Sequence, residues 1–323
     1  MPGWSRAQMR AFELSAGVDG PTVSVVAGLG GTAYAGIEAC WRLLDLLKTV
    51  KLNGTVRILP VADVAGFLDR SAHFCTLDGG VVIQSFESVE GGAGQSSPEH
   101  EASRDSATGA VARSVSAWMA PSDFHIELRG GELTESHASW VAVPGEGDDQ
   151  SGLASRAADA CGTMFRLRIP PGEGPSIPLG SAGVAVAAGS ASLILSAGGA
   201  PYELEQDAQV LFDGVMKALR QIGVLPGASE PTPVTQHEVG PESWTHLARK
   251  TGQWIAEVEA GQHVEEGQRL GQIWGYFGDI LEEVVAPFSG WIMVLNTSVA
   301  VDATARADGD DWYQRTVTVA ADA

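Results

Sequence analysis

The feature that most constrains the fold is a short apolar strand that runs into a cluster of glycines and then into a helix. Residues 21–27 (PTVSVVA) are rich in β-branched side chains and lead directly into Gly28-Leu-Gly-Gly31. The spacing of apolar residues over 35–48 predicts an amphipathic helix. An Asn53-Gly54 turn follows, and residues 55–60 (TVRILP) predict the next strand. A strand, a crossover helix and a second strand in this order begin a parallel α/β sheet.

A predicted strand in the middle of the chain carries three ionisable residues. The pattern predicts a helix over 107–119, and this helix leads into residues 123–129 (DFHIELR). In that stretch apolar residues alternate with His125, Glu127 and Arg129. Because side chains alternate along a strand, all three ionisable residues are expected on one face.

Further elements follow towards the C-terminal half. Residues 191–195 predict an apolar strand that runs into Ser196-Ala-Gly-Gly199, and residues 205–222 predict a helix. Two segments, 91–104 and 144–180, are rich in glycine, proline and acidic residues, and they predict irregular surface structure.

The composition of the sequence changes after residue 226. Residues 226–243 contain four prolines and few large apolar side chains, which is typical of a linker. Short apolar runs with regularly placed glycines follow, which predicts a small β-barrel or sandwich. We therefore divide the chain into an α/β domain (1–228), a linker (229–243) and a C-terminal β domain (244–323).

Composition excludes several classes of partner. The 323 residues carry a formal charge of −20, which repels nucleic acid and anionic membranes. No apolar run reaches the roughly 20 residues of a membrane span, and the N-terminal MPGWSRAQMR lacks the apolar core of a secretion signal. The 3 cysteines are widely spaced and suit free thiols in a reducing compartment. We expect a cytoplasmic protein with neither nucleic-acid nor membrane partners.

The C-terminal part carries the best-preserved family resemblance. The stretches AGQHVEEGQRLG (260–271), FGD (277–279) and APFSG (286–290), with the landmarks of the first domain, resemble the succinylglutamate desuccinylase/aspartoacylase family. These are zinc-dependent deacylases, so the resemblance implies a carboxypeptidase-like α/β fold, a mixed sheet flanked by helices. It also implies a small C-terminal all-β domain of lipoyl-like barrel or sandwich design. No lysine lies in the hairpin 278–286, so no lipoate or biotin is carried, and we expect no cofactor.

The positions that supply zinc ligands in this family hold other residues here. The family's histidine and glutamate fall on Gly30 and Ala33, although Ile37-Glu-Ala39 continues the family pattern. The third ligand falls on Arg129, within Glu127-Leu-Arg129. A zinc site needs about three ligands from histidine, cysteine or carboxylate, and none of these three positions provides one. An ordinary zinc-hydrolase site is therefore not expected.

The substrate and base positions have also changed. The family's catalytic glutamate aligns with Ser196, and its Asn-Arg pair aligns with Ile83-Gln84, while Asp78-Gly79 persists. The resemblance implies a small amino-acid or acyl-amino-acid ligand. We predict Arg129, Gln84, Asp78 and Ser196 as substrate-binding residues, because they line the wall that the resemblance implies. Family relatives often self-associate, so a homodimer is a further expectation by resemblance.

The first hypothesis is a metal-independent enzyme in the old pocket. We predict His125, Glu127, His73 and Tyr34 as its catalytic residues, because histidine and carboxylate exchange protons near neutral pH. Arg129 could bind a carboxylate through two hydrogen bonds. The reaction could be an acyl transfer, cyclisation, isomerisation or elimination. Cys75 is an alternative nucleophile, although a buried inert thiol is the commoner outcome.

Two other hypotheses stay open. In one, the protein is a catalytically inactive binding or regulatory partner, Glu127 and Arg129 form an internal ion pair, and His125 is a structural histidine. In the other, a relocated zinc site recruits His73, His125 and Glu127. An open pocket would favour the enzyme, whereas a pocket collapsed onto an ion pair would favour the inactive protein.

Overall fold

The structure is a computed structural model. It describes residues 8–86, 106–145, 149–167, 178–199, 204–227, 237–304 and 314–322. The predicted loop at 91–104 lies outside the described residues. The helices are α1 (Tyr34–Leu47), α2 (Val64–Asp69), α3 (Ala107–Met119), α4 (Asp149–Cys161), α5 (Gly180–Ala187) and α6 (Leu204–Ile222), with a 3₁₀ turn at Gln84–Phe86. None of the helices in these ranges is long and apolar enough to span a membrane.

The strands of the first half are β1 (Phe12–Ser15), β2 (Thr22–Val26), β3 (Thr55–Leu59), β4 (Phe124–Arg129), β5 (Glu135–Ala142), β6 (Phe165–Leu167) and β7 (Ala191–Gly199). Those of the second half are β8 (His237–Leu247), β9 (Gly252–Ala256), β10 (His263–Val264), β11 (Arg269–Trp274), β12 (Ile280–Val285), β13 (Gly290–Asn296), β14 (Ala300–Val301) and β15 (Arg315–Asp322). The strands form one large mixed sheet and one smaller antiparallel sheet.

A parallel core of four strands forms the centre of the large sheet. Strands β3, β2, β4 and β7 lie side by side and parallel, and β1 adds an antiparallel edge. Ile58, Val25, Ile126 and Leu193 form a register-matched row across these strands, and each is fully buried. Burial of each such side chain contributes about 1.5–3 kcal/mol. The predicted α/β fold is confirmed, and α1, α3 and α6 lie within two residues of their predicted bounds.

The C-terminal strands are less separate than the predicted domain division implies. The large sheet continues through β5, β6, β8, β15 and β13, and β13 also pairs with β5. These pairings close a ring of five strands, two from the first half of the chain and three from the second. The smaller sheet, in the order β12-β11-β9-β14, packs with part of the ring around its own apolar core. The predicted small β-barrel or sandwich is confirmed, but its ring includes strands of the first domain.

Two sequence predictions about irregular segments were wrong. Residues 144–180 contain α4 and β6, and residues 237–243 of the predicted linker belong to β8. The buried face of α4 is made of small side chains, including Ala154, Ala157 and Ala158, so its apolar periodicity is weak in the sequence. Strand β8 contains Gly240 and Pro241, and its pairing with β15 and β6 outweighs their low strand propensity.

Candidate functional site

A cavity of about 280 Å³ lies where the parallel strands meet the ring. Its walls come from the loops after β2 and β4, from residues 73–84, and from the ring strands β5, β6, β8, β13 and β15. The carboxyl ends of parallel strands are the usual ligand-binding edge of an α/β sheet. The volume is close to the lower limit of ordinary small-molecule pockets, about 300 Å³. The pocket therefore suits a compact ligand.

The three positions that align with zinc ligands lie together in this cavity. Gly30, Ala33 and Arg129 all line it, as the alignment implied. A Cβ atom on Gly30 would lie 2.2 Å from Oε1 of Glu132, so the carboxyl group of Glu132 fills the space of a side chain at position 30. Ala33 has no donor atom, and Arg129 carries a permanent positive charge. The residues at these positions do not fit a zinc ion.

The described residues also contain no group of three histidine, cysteine or carboxylate side chains that could hold a metal. The three residues of the relocated-zinc hypothesis have other partners. His73 Nε2 lies 2.6 Å from Thr134 Oγ1, and His125 lies between two serines rather than beside His73. Glu127 is hydrogen-bonded to neighbouring protein groups.

The three ionisable residues of β4 share one face, as the alternation predicts, and they form a hydrogen-bonded row. His125 contacts Ser24 Oγ through Nδ1 at 2.8 Å and Ser181 Oγ through Nε2 at 2.9 Å. Ser181 donates to Glu127 Oε2 at 2.6 Å, and Arg129 Nε donates to Glu127 Oε1 at 2.5 Å. The row thus runs from the buried interior to Arg129 at the cavity wall.

Only the Arg129 end of this row reaches the cavity. His125 and Glu127 are fully buried and do not line it. Burial lowers the pKa of His125 to about 4, although the charge of Glu127 opposes this shift. His125 is therefore neutral at physiological pH and is enclosed by protein groups.

Arg129 presents a charged group at the cavity wall, where its side chain is 12% exposed. One side of its guanidinium group is held by Glu127, whereas Nη2 is buried without a hydrogen-bond partner among the described residues. A buried donor without a partner costs about 1–3 kcal/mol, and more when it is charged. Because Nη2 itself has almost no accessible surface, a ligand in the cavity would meet the part of the Arg129 side chain that remains exposed and would be attracted by its charge.

Glu132 is the second polar feature of the cavity, and sequence reasoning missed it. Its Oε2 accepts hydrogen bonds from the hydroxyl and the amide of Thr32, and the backbone of His73 also donates to it. Burial raises the pKa of Glu132 to about 7, although these hydrogen bonds oppose the shift. A carboxyl group with this pKa exists in both protonation states at neutral pH.

A second chain of polar contacts begins on the ring. Arg315 Nη1 lies 3.7 Å from Glu135 Oε1, and Glu135 Oε2 lies 3.3 Å from His137 Nε2. Burial alone would raise the pKa of Glu135. The hydrogen bond from His137 and the charges of His137, His73 and Arg315 outweigh burial and lower this pKa. Glu135 is therefore the ionised carboxylate of the cavity.

Ser196 lies at the buried end of this series of polar contacts. Its Oγ lies 3.1 Å from His137 Nδ1, so a serine, a histidine and a carboxylate follow one another as in a catalytic triad. Ser196 is fully buried, however, and does not line the cavity, whereas His137 and Glu135 do. A nucleophile must reach its substrate, so this geometry fixes the ring of His137 rather than presenting a serine.

The other predicted site residues are dispersed. Gln84 and His73 line the cavity. Tyr34 lies outside it, in a much smaller neighbouring pocket, and its ring packs edge-on against a phenylalanine. Asp78 accepts hydrogen bonds from the amide and the hydroxyl of Thr108 at the start of α3. Cys75 is buried, and burial raises the pKa of its thiol to about 11.

Four ionisable cavity residues were absent from the sequence predictions: Glu132, Glu135, His137 and Arg315. The Gly130-Gly131 pair after β4 and the alternation of Glu135 with His137 are sequence signals that could have identified the first three. Arg315 has no local signal, because it reaches the cavity through the pairing of β15 with β8 and β13.

No family model and no curated protein matches this sequence. Solved structures do match. A succinylglutamate desuccinylase from a Silicibacter species is 16% identical, with 97% of this chain and 88% of that chain covered and a TM-score of 0.77. The product-bound ectoine utilization protein EutE (DoeB) from Ruegeria pomeroyi is 15% identical, with 96% and 88% covered and a TM-score of 0.77. A succinylglutamate desuccinylase/aspartoacylase from Rhodobacter sphaeroides is 18% identical, with 95% and 87% covered and a TM-score of 0.72.

Proposed function

We propose that this chain, which has the fold of the succinylglutamate desuccinylase/aspartoacylase structures, is a metal-independent enzyme acting on a small amino-acid-derived compound in the cavity. One observation carries the proposal: the cavity is open, and the positions of a zinc site hold Arg129 with Glu132 beside Gly30. In this proposal Arg129 binds a carboxylate of the substrate, and Glu132 transfers a proton.

The binding role of Arg129 rests on its fixed orientation. Glu127 holds Nε at 2.5 Å, and Glu127 is itself held by Ser181 and by the amide of Ala182. The guanidinium group is therefore oriented before a ligand arrives, and 12% of the Arg129 side chain is exposed. A charge-assisted hydrogen bond to a carboxylate is about twice as strong as a neutral one. A small carboxylate is the ligand that best satisfies this group.

The catalytic role of Glu132 rests on its pKa and its position. A general acid or base is most effective when its pKa is close to the working pH. The raised pKa of about 7 meets this condition, and the contacts with Thr32 and His73 hold the carboxyl group in place. Such a group contributes about 10²–10⁴-fold to a rate.

The inactive-partner alternative is favoured by a specific observation, the Glu127–Arg129 ion pair. That pair accounts for the orientation of Arg129, but not for the open cavity. An inactive partner would act through its surface and would have no need of a ligand in this cavity. The two functions are therefore separated by ligand binding and turnover.

The test is a thermal-shift and turnover screen of amino-acid derivatives with the purified full chain. We expect at least one compound to stabilise the wild type, and its conversion to continue in the presence of a chelator. Arg129→Met should abolish stabilisation, whereas Arg156→Met, at an exposed arginine on α4, should not. Glu132→Gln should lower kcat by about 10²–10⁴-fold.

Two results would contradict the proposal. If no derivative stabilises the wild type, the cavity is not a binding site for this class of compound. If turnover stops when a chelator is added and returns with zinc, the reaction depends on a metal.

A further inference from the structure

We propose that the cavity selects a zwitterion, a free amino acid whose carboxylate pairs with Arg129 and whose ammonium group pairs with Glu132. This inference rests on the proposed function and makes its substrate class specific. It distinguishes free amino acids from their N-acylated forms, which have no ammonium group.

The two guanidinium groups around the cavity are each matched by a carboxylate without a ligand, and the imidazoles of His73 and His137 also line it. The positive charge of Arg129 is offset by Glu127, and that of Arg315 lies 3.7 Å from Glu135. Glu132 is the carboxyl group left over. The hydrogen-bond donors that hold it are the uncharged hydroxyl of Thr32 and the backbone amides of Thr32 and His73. A ligand with one positive and one negative end keeps this balance, whereas a dianion would add a negative charge beside Glu132.

The two ionisable groups demand opposite charges. Arg129 lines the cavity with a permanent positive charge, so it attracts a negative group. The carboxyl group of Glu132 is enclosed by protein, and burial of a carboxylate without a positive partner is costly. An ammonium group is the ligand group that removes this cost most completely, because it supplies both a charge and three donors.

The backbone places these two residues close together, one at the end of β4 and the other in the loop that follows it. Arg129 ends β4, and Glu132 follows it by three residues across Gly130-Gly131. Both side chains line the cavity. Glu132 also lies against Gly30, which belongs to another part of the cavity wall, the loop after β2. A compact molecule with both charged groups attached to one carbon atom, as in an α-amino acid, suits this arrangement. A long molecule with distant charges does not.

Proton release is an independent consequence of the pairing. An ammonium group beside Glu132 favours its ionised form, so a free amino acid that binds near pH 7 should release about half a proton. Affinity should therefore rise from pH 6 to pH 8, below the range in which the ligand's own amine loses its proton. The other ionisable groups that line the cavity are Arg129, Arg315, Glu135, His73 and His137.

The experiment compares three matched forms of each amino acid: free, N-acetylated and carboxamide. The 20 common amino acids in each form are screened by thermal shift against the full chain, and the best side chain is measured by calorimetry in two buffers of different ionisation enthalpy. We expect the free form to bind at least about tenfold more tightly than either derivative, with proton release. Glu132→Gln should remove the preference over the N-acetyl form, and Arg129→Met the preference over the carboxamide.

The results of this experiment distinguish a failure of the zwitterion inference from a failure of the proposed function. If an N-acetylated form binds as tightly as the free form or more tightly, the zwitterion inference is wrong and the proposed function stands. If none of the three forms binds, both proposals fail. The calorimetric measurement of proton release uses only the wild type, so it tests the pairing with Glu132 even if a variant does not fold.

Discussion

The pKa of Glu132 makes a direct prediction about stability. Burial raises this pKa from 4.5 to about 7 in the folded protein, whereas the unfolded chain keeps an ordinary value. The folded state therefore binds more protons between these two pH values. Its stability falls as the pH rises from 4.5 through 7, because Glu132 must ionise in an unfavourable environment.

The magnitude follows from the two values. A tenfold change in proton affinity corresponds to about 1.4 kcal/mol, so the full shift corresponds to about 3 kcal/mol as an order of magnitude. Glu132→Gln removes the ionisation. At pH 8 the variant should be more stable than the wild type by up to about 3 kcal/mol, and at pH 5 this advantage should fall to about 1 kcal/mol or less.

The assay is urea unfolding of the wild type and the variant, followed by circular dichroism at pH 5 and pH 8. Glu259→Gln is the matched control, because Glu259 is exposed and far from the cavity lining. The measured quantity is the change in the stability difference between the two pH values. A Glu132→Gln advantage that is the same at both pH values, or a variant that is less stable at both, would refute the reasoning.

Three further predictions concern residues around the cavity. Gly30→Ala places a Cβ 2.2 Å from the Glu132 carboxyl group and should weaken binding of the best ligand by about tenfold or more through displacement of Glu132, as measured by calorimetry. His125→Ala should lower the free energy of unfolding by about 2–4 kcal/mol, because it removes the hydrogen bonds of His125 to buried Ser24 and Ser181 and leaves a cavity; an unchanged urea midpoint would contradict this role. Ser196 should not react with a fluorophosphonate probe, since it is fully buried, and labelling at Ser196 in intact-mass and peptide analysis would show that a serine nucleophile is accessible.

The sequence alone determined the α/β core. The apolar run at 21–27, the glycine cluster and the helix pattern specify β2, the loop and α1 through local propensity and periodicity. The alternation over 123–129 likewise placed His125, Glu127 and Arg129 on one face. Local patterns succeed here because each element has one clear apolar face.

The same alternation did not distinguish which members of the face meet the cavity. His125 and Glu127 are fully buried, whereas Arg129 lies at the cavity wall. The difference arises because only the carboxyl end of β4 reaches the cavity. Depth along a strand depends on what covers it, and the covering groups come from α5 and the ring. Their placement is not encoded in the strand's own sequence.

The composition of the cavity was decided by tertiary structure. Gly30 and Ala33 were evident in the sequence as lost ligand positions, but the carboxyl group of Glu132 occupies that space from a loop about 100 residues away. Arg315 reaches the same cavity through the ring. Burial and the approach of distant groups set the raised pKa of Glu132, and this property does not follow from local sequence. The sequence thus determined the core of the fold, whereas long-range packing decided which groups meet in the cavity.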